Sequence, residues 1–203
     1  SANRRGRSPS CKHKSKPCNS QGMIAMSEIR NLIANPRPNS SGPMVWNSTG
    51  LASAQIQSDS IRLESDGSTN NAFAWTQMTL PAGDWVFAAY LESSSTGSFV
   101  SYDQRVVCVT TAETDWQLNG SIAYQRLDAR YACAFHLAAA GDVNLRLYSH
   151  TTGPGNAVRY RDLLLCSLDD WRALRAMTPS VDYFDGGRTT NRATVLEQLT
   201  PIS

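Results

Sequence analysis

The stretch "AFAWTQMTLPAGDWVFAAYLES", residues 72–93, decides the class of fold. It divides at Pro81-Ala82-Gly83-Asp84 into two runs that alternate with period two. In the first run, Phe73, Trp75, Gln77 and Thr79 fall on one face and Ala74, Thr76, Met78 and Leu80 on the other. In the second, Trp85, Phe87, Ala89 and Leu91 share a face. Successive side chains of a strand point to opposite sides of a sheet, so each run reads as a half-buried strand with a turn between.

The same pattern continues in both directions. Upstream, "AQIQSDSIRLES" (54–65) alternates with Ile56, Ile61 and Leu63 as inward candidates, and "DGSTNN" (66–71) is a turn. Downstream, "SSSTGS" (93–98) breaks the chain, and "FVSYDQRVVCVTT" supplies a strand carrying Val107 and Val109. Residues 124–150 read as two strands around Ala-Ala-Gly-Asp, "TTGPGN" (151–156) as a loop, and "AVRYRDLLLCSL" as the last clear strand. Strands that recur every 10–15 residues, separated by Gly, Pro, Asn and Ser, indicate an all-β fold. The expected class is an antiparallel β-sandwich or jelly roll.

One short C-terminal helix is expected at "SLDDWRALRAM". Ser167 is its N-cap, Asp170 stands three residues on, and Trp171, Leu174 and Met177 share a face. The closing "YFDGGRTTNRATVLEQLTPIS" turns at Asp185-Gly186-Gly187 and runs out as a polar tail, in which "ATVLEQL" reads as a short helix or a strand.

Charge divides the chain differently. Residues 1–22 hold Arg4, Arg5, Arg7, Lys12, Lys14 and Lys16 and no acid, whereas no Lys follows Lys16. The expected organisation is a basic arm at 1–25, disordered or extended, a sandwich at 26–187 and a tail at 188–203. Three readings of the arm stand side by side: a plain disordered tail, electrostatic contact with nucleic acid, or a segment foreign to the native protein. Nucleic acid contact is expected nowhere but in this arm. Cys11, His13 and Cys18 lack the further pair that a zinc site needs. No apolar run approaches the roughly 18 residues of a membrane span, so membrane insertion is not expected. The basic start has no apolar stretch behind it, which argues against a secretory signal peptide.

Cys108, Cys133 and Cys166 lie in apolar, strand-like contexts and read as buried free thiols. Motifs of nucleophile elbows, phosphate loops, dinucleotide-binding turns and zinc proteases do not occur in the sequence. His136 alternates within a strand and reads as structural, and Asp169-Asp170 reads as helix-start charge. The expectation is a non-enzyme with no required cofactor.

Four segments carry a resemblance: "RNLIANPRP", "TLPAGDWVFAAYLES", "AVRYRDLLLC" and "DYFDGG", in that order over about residues 29–187. They resemble the carbohydrate-binding-module-like β-sandwiches of minor tail proteins in siphoviruses that infect actinobacteria. Trp85 stands where that family usually has Tyr, and the tail after Gly187 is short. The resemblance places the native start at Met26 or Met23. It implies a virion protein at the tail or capsid surface, assembled in the host cytoplasm among other virion proteins. Its role would be adhesion to host cell-wall glycan. Alternatives are a capsid decoration or head-fibre protein on the same sandwich, or a free carbohydrate-binding module. A homo-oligomer, such as a trimer, suits either virion role.

Sugar binding by a sandwich uses an exposed aromatic face with polar groups beside it. Trp116, in the polar segment "AETDWQLNGS", is the first candidate, followed by Trp75, Tyr124, Arg126 and Tyr148; Arg159 and Arg161 lie on a strand of the same kind. Core or sheet-edge packing is the competing role for Trp46, Trp75, Trp85 and Trp171. The resemblance also implies a structural calcium, with Asp162 as the acid of the last strand.

Overall fold

The computed structural model describes residues 28–38, 45–68, 72–92, 105–111, 118–122, 129–149, 153–177, 183–184 and 188–190. The basic arm, "ATVLEQL", Trp116, Tyr124, Arg126 and His150 lie outside these residues.

The strands are β1 (Glu28–Arg30), β2 (Asn47–Thr49), β3 (Leu51–Gln57), β4 (Ser60–Ser65), β5 (Phe73–Leu80), β6 (Gly83–Glu92), β7 (Arg105–Thr111), β8 (Leu118–Ile122), β9 (Ala129–Leu137), β10 (Gly141–Tyr148), β11 (Ala157–Ser167) and β12 (Arg188–Thr190). The helix α1 (Leu168–Arg175) follows β11. Two five-stranded sheets form, ordered β2-β5-β10-β7-β8 and β3-β4-β11-β6-β9, and β1 pairs with β12 in a small third sheet. All of the pairings are antiparallel. The expected class is therefore met: two antiparallel sheets face each other across an apolar core, with one short helix.

The alternation in residues 72–93 builds this core. Ala74 and Leu80 face inward from the first sheet with Val107, Val109, Val143, Leu145 and Leu147. Phe87, Ala89 and Leu91 face them from the second sheet, with Ile61, Leu63, Val158, Leu163 and Leu165. The Pro81–Ala82 step does not fold a hairpin within one sheet. It carries the chain from β5 in the first sheet to β6 in the second, and residues 138–140 carry it back from β9 to β10. Tyr160, on β11, bolts the two sheets together: its fully buried hydroxyl lies 2.5 Å from the Tyr148 carbonyl and 3.2 Å from that of Val106.

Residues 54–65 are two strands, not one. Ser58 and Asp59, with φ of 49° and 62°, form a two-residue hairpin turn between Gln57 and Ser60. Positive φ at both central positions matches the right-handed twist of the flanking strands. The turn sets Ile56 opposite Ile61.

β11 contains the decisive irregularity. Its pairing with β6 slips between Arg161 and Leu164, and Asp162 there takes φ 53°. The bulge switches the parity of the strand. Val158 and Tyr160 point into the core before it, Leu163 and Leu165 after it. Leu164 and Cys166 are thereby turned to the outer face, where they would be wet without a cover. That cover is a second apolar cluster made by Ile29, Leu174, Tyr183 and Phe184, with Trp171, Ala173 and Met177 packed against it. The helix takes its place here as the sequence indicates, with the Ser167 hydroxyl accepting from Asp170 N at 3.1 Å.

Beyond Tyr160, where the pairing of β11 with β4 ends, its backbone groups are taken up by the opening segment. Asn31 Nδ2 donates to Leu163 O at 2.9 Å, and Asn31 Oδ1 accepts from Leu165 N at 3.0 Å and Ile33 N at 3.1 Å. Leu32 N donates to Leu165 O and Leu163 N donates to Pro36 O. The sequence assigns residues 188–203 to a tail, but residues 188–190 form β12 beside β1. One buried amide here meets three backbone groups, so Asn31→Ala should destabilise the fold by about 2–4 kcal/mol in urea denaturation.

Candidate functional site

The outer face of the first sheet is built from three strands far apart in sequence. Register sets Asn47, Trp75 and Arg146 in one row across β2, β5 and β10. The next row holds Gln77, Asn144 and Thr110, and the one after it Thr79 and Asp142. These side chains point away from the core because each alternates with an inward residue such as Ala74, Val143 or Leu145. Asn47, Gln77, Thr79 and Asp142 are exposed, while Trp75, Asn144 and Arg146 are half-buried. The result is a polar strip with Trp75 in its first row.

Several contacts stiffen the strip. Asp142 accepts from Thr79 Oγ1 at 2.5 Å and from Gln77 Nε2 at 3.1 Å, which fixes two neighbouring side chains with one carboxylate. The Arg146 guanidinium lies 4.6 Å from the centroid of Phe73, whose ring meets Tyr148 at 5.2 Å. At the β7 side the strip passes under cover. Thr110 Oγ1 and Asn144 Oδ1 are buried side by side there without a hydrogen-bond partner among the described residues. Buried polar atoms left in that state favour any hydroxyl or water able to reach them.

Of the sequence candidates, Trp75 stands in the strip. Tyr148 shares its sheet face but is 2 % exposed, so it supports Phe73 instead of offering a surface. Strand alternation alone does not reveal that burial. Trp116, Tyr124 and Arg126 fall outside the described residues. Arg159 and Arg161 lie on the second sheet, and Arg161 stacks 4.5 Å over Tyr90. Trp85 packs against the core and Trp171 against the second cluster, as their packing roles require. Asn47, Asp142, Asn144 and Arg146 were not singled out from sequence. Nothing local marks them; only the β5–β10 and β2–β5 pairings bring them to Trp75.

Asp162 is 1 % exposed at the bulge. Arg37 Nε meets its Oδ1 at 3.0 Å and Arg161 meets its Oδ2 at 2.8 Å. Arg130 donates to its carbonyl oxygen. No group of three or more His, Cys, Asp or Glu side chains gathers among the described residues. Calcium takes six to eight oxygens, whereas both carboxylate oxygens of Asp162 face arginine nitrogens.

No family model matches the chain, and no curated protein matches it. Solved structures do. The second N-terminal cellulose-binding domain of Cellulomonas fimi β-1,4-glucanase C is 12% identical over 70% of this chain and 95% of that one, with a TM-score of 0.47. A CBM4 structure is 11% identical over 61% and 95% of the two chains, at a TM-score of 0.45. A family 29 carbohydrate binding module is 10% identical over 72% and 94%, at 0.40. At these TM-scores the likeness bears on neither ligand nor activity.

The thiols are structural. Cys108, Cys133 and Cys166 are free and buried. Burial pushes Cys133 up to about 12, with Cys108 adding to the shift, and Cys166 up to about 12, with Asp170 adding. The unfolded thiol loses its proton near 9.0, the folded one near 12. Their stabilisation is therefore complete below the unfolded value and is lost as pH rises toward the folded one. The melting temperature should fall across that window, and Cys133→Ala/Cys166→Ala should flatten the fall.

Proposed function

We propose that the chain is a non-catalytic glycan-binding module whose contact surface is the strip over β2, β5 and β10. The observation that carries this is Trp75, held half-exposed on a rigid strand among amides, hydroxyls and a guanidinium. A core-type aromatic on a wet face offers an apolar plane for the C–H face of a pyranose. Asn47, Gln77 and Arg146 supply donors and acceptors at its edges for ring hydroxyls. Asp142 is already engaged by Gln77 and Thr79, which suits it to holding side chains in place instead of to proton transfer.

The setting we propose is adhesion of a phage minor tail protein to the host cell wall. The four ordered segments that resemble that family support it. Weak sites repeated on a particle attach strongly through multivalency.

Trp75→Ala should weaken binding to soluble cell-wall polysaccharide by roughly tenfold or more in affinity electrophoresis, with little change in melting temperature. Unchanged binding would remove the strip from the reading and turn attention to Trp116→Ala. Gold-antibody labelling of purified particles tests the setting. Label at the tail tip supports adhesion, label over the head supports capsid decoration, and no label leaves a free glycan-binding module.

A further inference from the structure

The surroundings of Asp162 differ in kind from a cation site. Both carboxylate oxygens face nitrogen: Arg37 comes from the opening segment and Arg161 from β11 itself. Arg130 reaches the carbonyl of the same residue from β9. Two backbone oxygens close to it already accept hydrogen bonds. Pro36 O accepts from Leu163 N at 2.7 Å, and Leu163 O accepts from Asn31 Nδ2 at 2.9 Å.

Tyr183 closes the arrangement from the C-terminal side. The Arg37 guanidinium lies 5.8 Å and that of Arg130 5.5 Å from its ring centroid. One buried acid, three guanidiniums and one ring thus join the opening segment, β9, β11 and the segment at 183–184. Glu92 lies 3.7 Å from Arg161 Nε and balances part of the positive charge.

We infer that this cluster is a metal-free clamp in which guanidinium groups do the work of a divalent cation. A guanidinium is planar and presents several donors in fixed directions, so it can satisfy a buried carboxylate and stack on an aromatic face at once. A cation would neutralise Asp162 but would not hold Tyr183. Arg37 is the pivotal member, because it alone among the three carries the opening segment onto β11.

The test is thermal unfolding of the full chain in EDTA and in millimolar calcium chloride. The expected result is the same melting temperature in both. Arg37→Met should lower it by roughly 5–10 °C, and calcium should not restore the loss. Arg37→Lys keeps the charge without the fork and should recover part of it. A calcium-dependent rise in the native chain that disappears in Asp162→Asn would overturn the clamp. So would an Arg37→Met protein as stable as the native one, or one rescued by calcium. If Arg37→Met yields no folded protein, the native chain and Arg37→Lys with and without calcium decide the matter.

Discussion

A buried carboxylate has to be neutralised where it sits, and Asp162 sits within the central strand of a sheet. Leaving it uncompensated would cost several kcal/mol. Arg161 compensates it from the same strand and Arg37 from the opening segment, while Arg130 of β9 takes the carbonyl of the same residue, so the site acts as an assembly point. The bulge around it also reverses the strand's parity and turns Leu164 and Cys166 outward. Those residues need a roof, which the opening segment, the helix and Tyr183–Phe184 provide. A whole layer of the molecule therefore follows from one left-handed residue and its charge.

This layer covers part of the second sheet's outer face and leaves the first sheet's outer face for other uses. The strip around Trp75 lies on strands whose registers are fixed by the core beneath, and Tyr160 ties that sheet to the one behind it. Side chains mounted this way hold their spacing better than side chains on loops. The interaction of Asp142 with Gln77 and Thr79 adds a further restraint at the strip's exposed end.

Local features were readable in the sequence wherever period two or cap chemistry writes them. The two faces of residues 73–80, the inward set of β6, the helix cap at Ser167 and the buried thiols all follow from neighbours a few positions apart. The odd spacing between Ile56 and Ile61 also held a signal, because an uninterrupted strand cannot turn both inward; it implies the Ser58-Asp59 hairpin. "RYRDLLLC" carries a similar mark, an alternating half followed by a run that is apolar on both faces. What sequence could not yield was which strands, far apart in the chain, lie side by side. Asn47 and Arg146 meet Trp75 from 28 and 71 positions away in the numbering. Arg37 meets Asp162 over an even longer span. Three of the four segments that carry the family resemblance converge on this clamp, so they record the architecture more than the ligand.

The pairing of β1 with β12 has a mechanical meaning. Glu28 stands opposite Thr190 and Arg30 opposite Arg188, so the chain enters and leaves this small sheet at the same end. Tension applied between residues 28 and 190 peels the pairs one after another, as a zipper opens, instead of shearing them together. Peeling the ribbon also has to draw Ile29 out of the second apolar cluster, so that packing, and not the three strand pairs alone, sets its resistance.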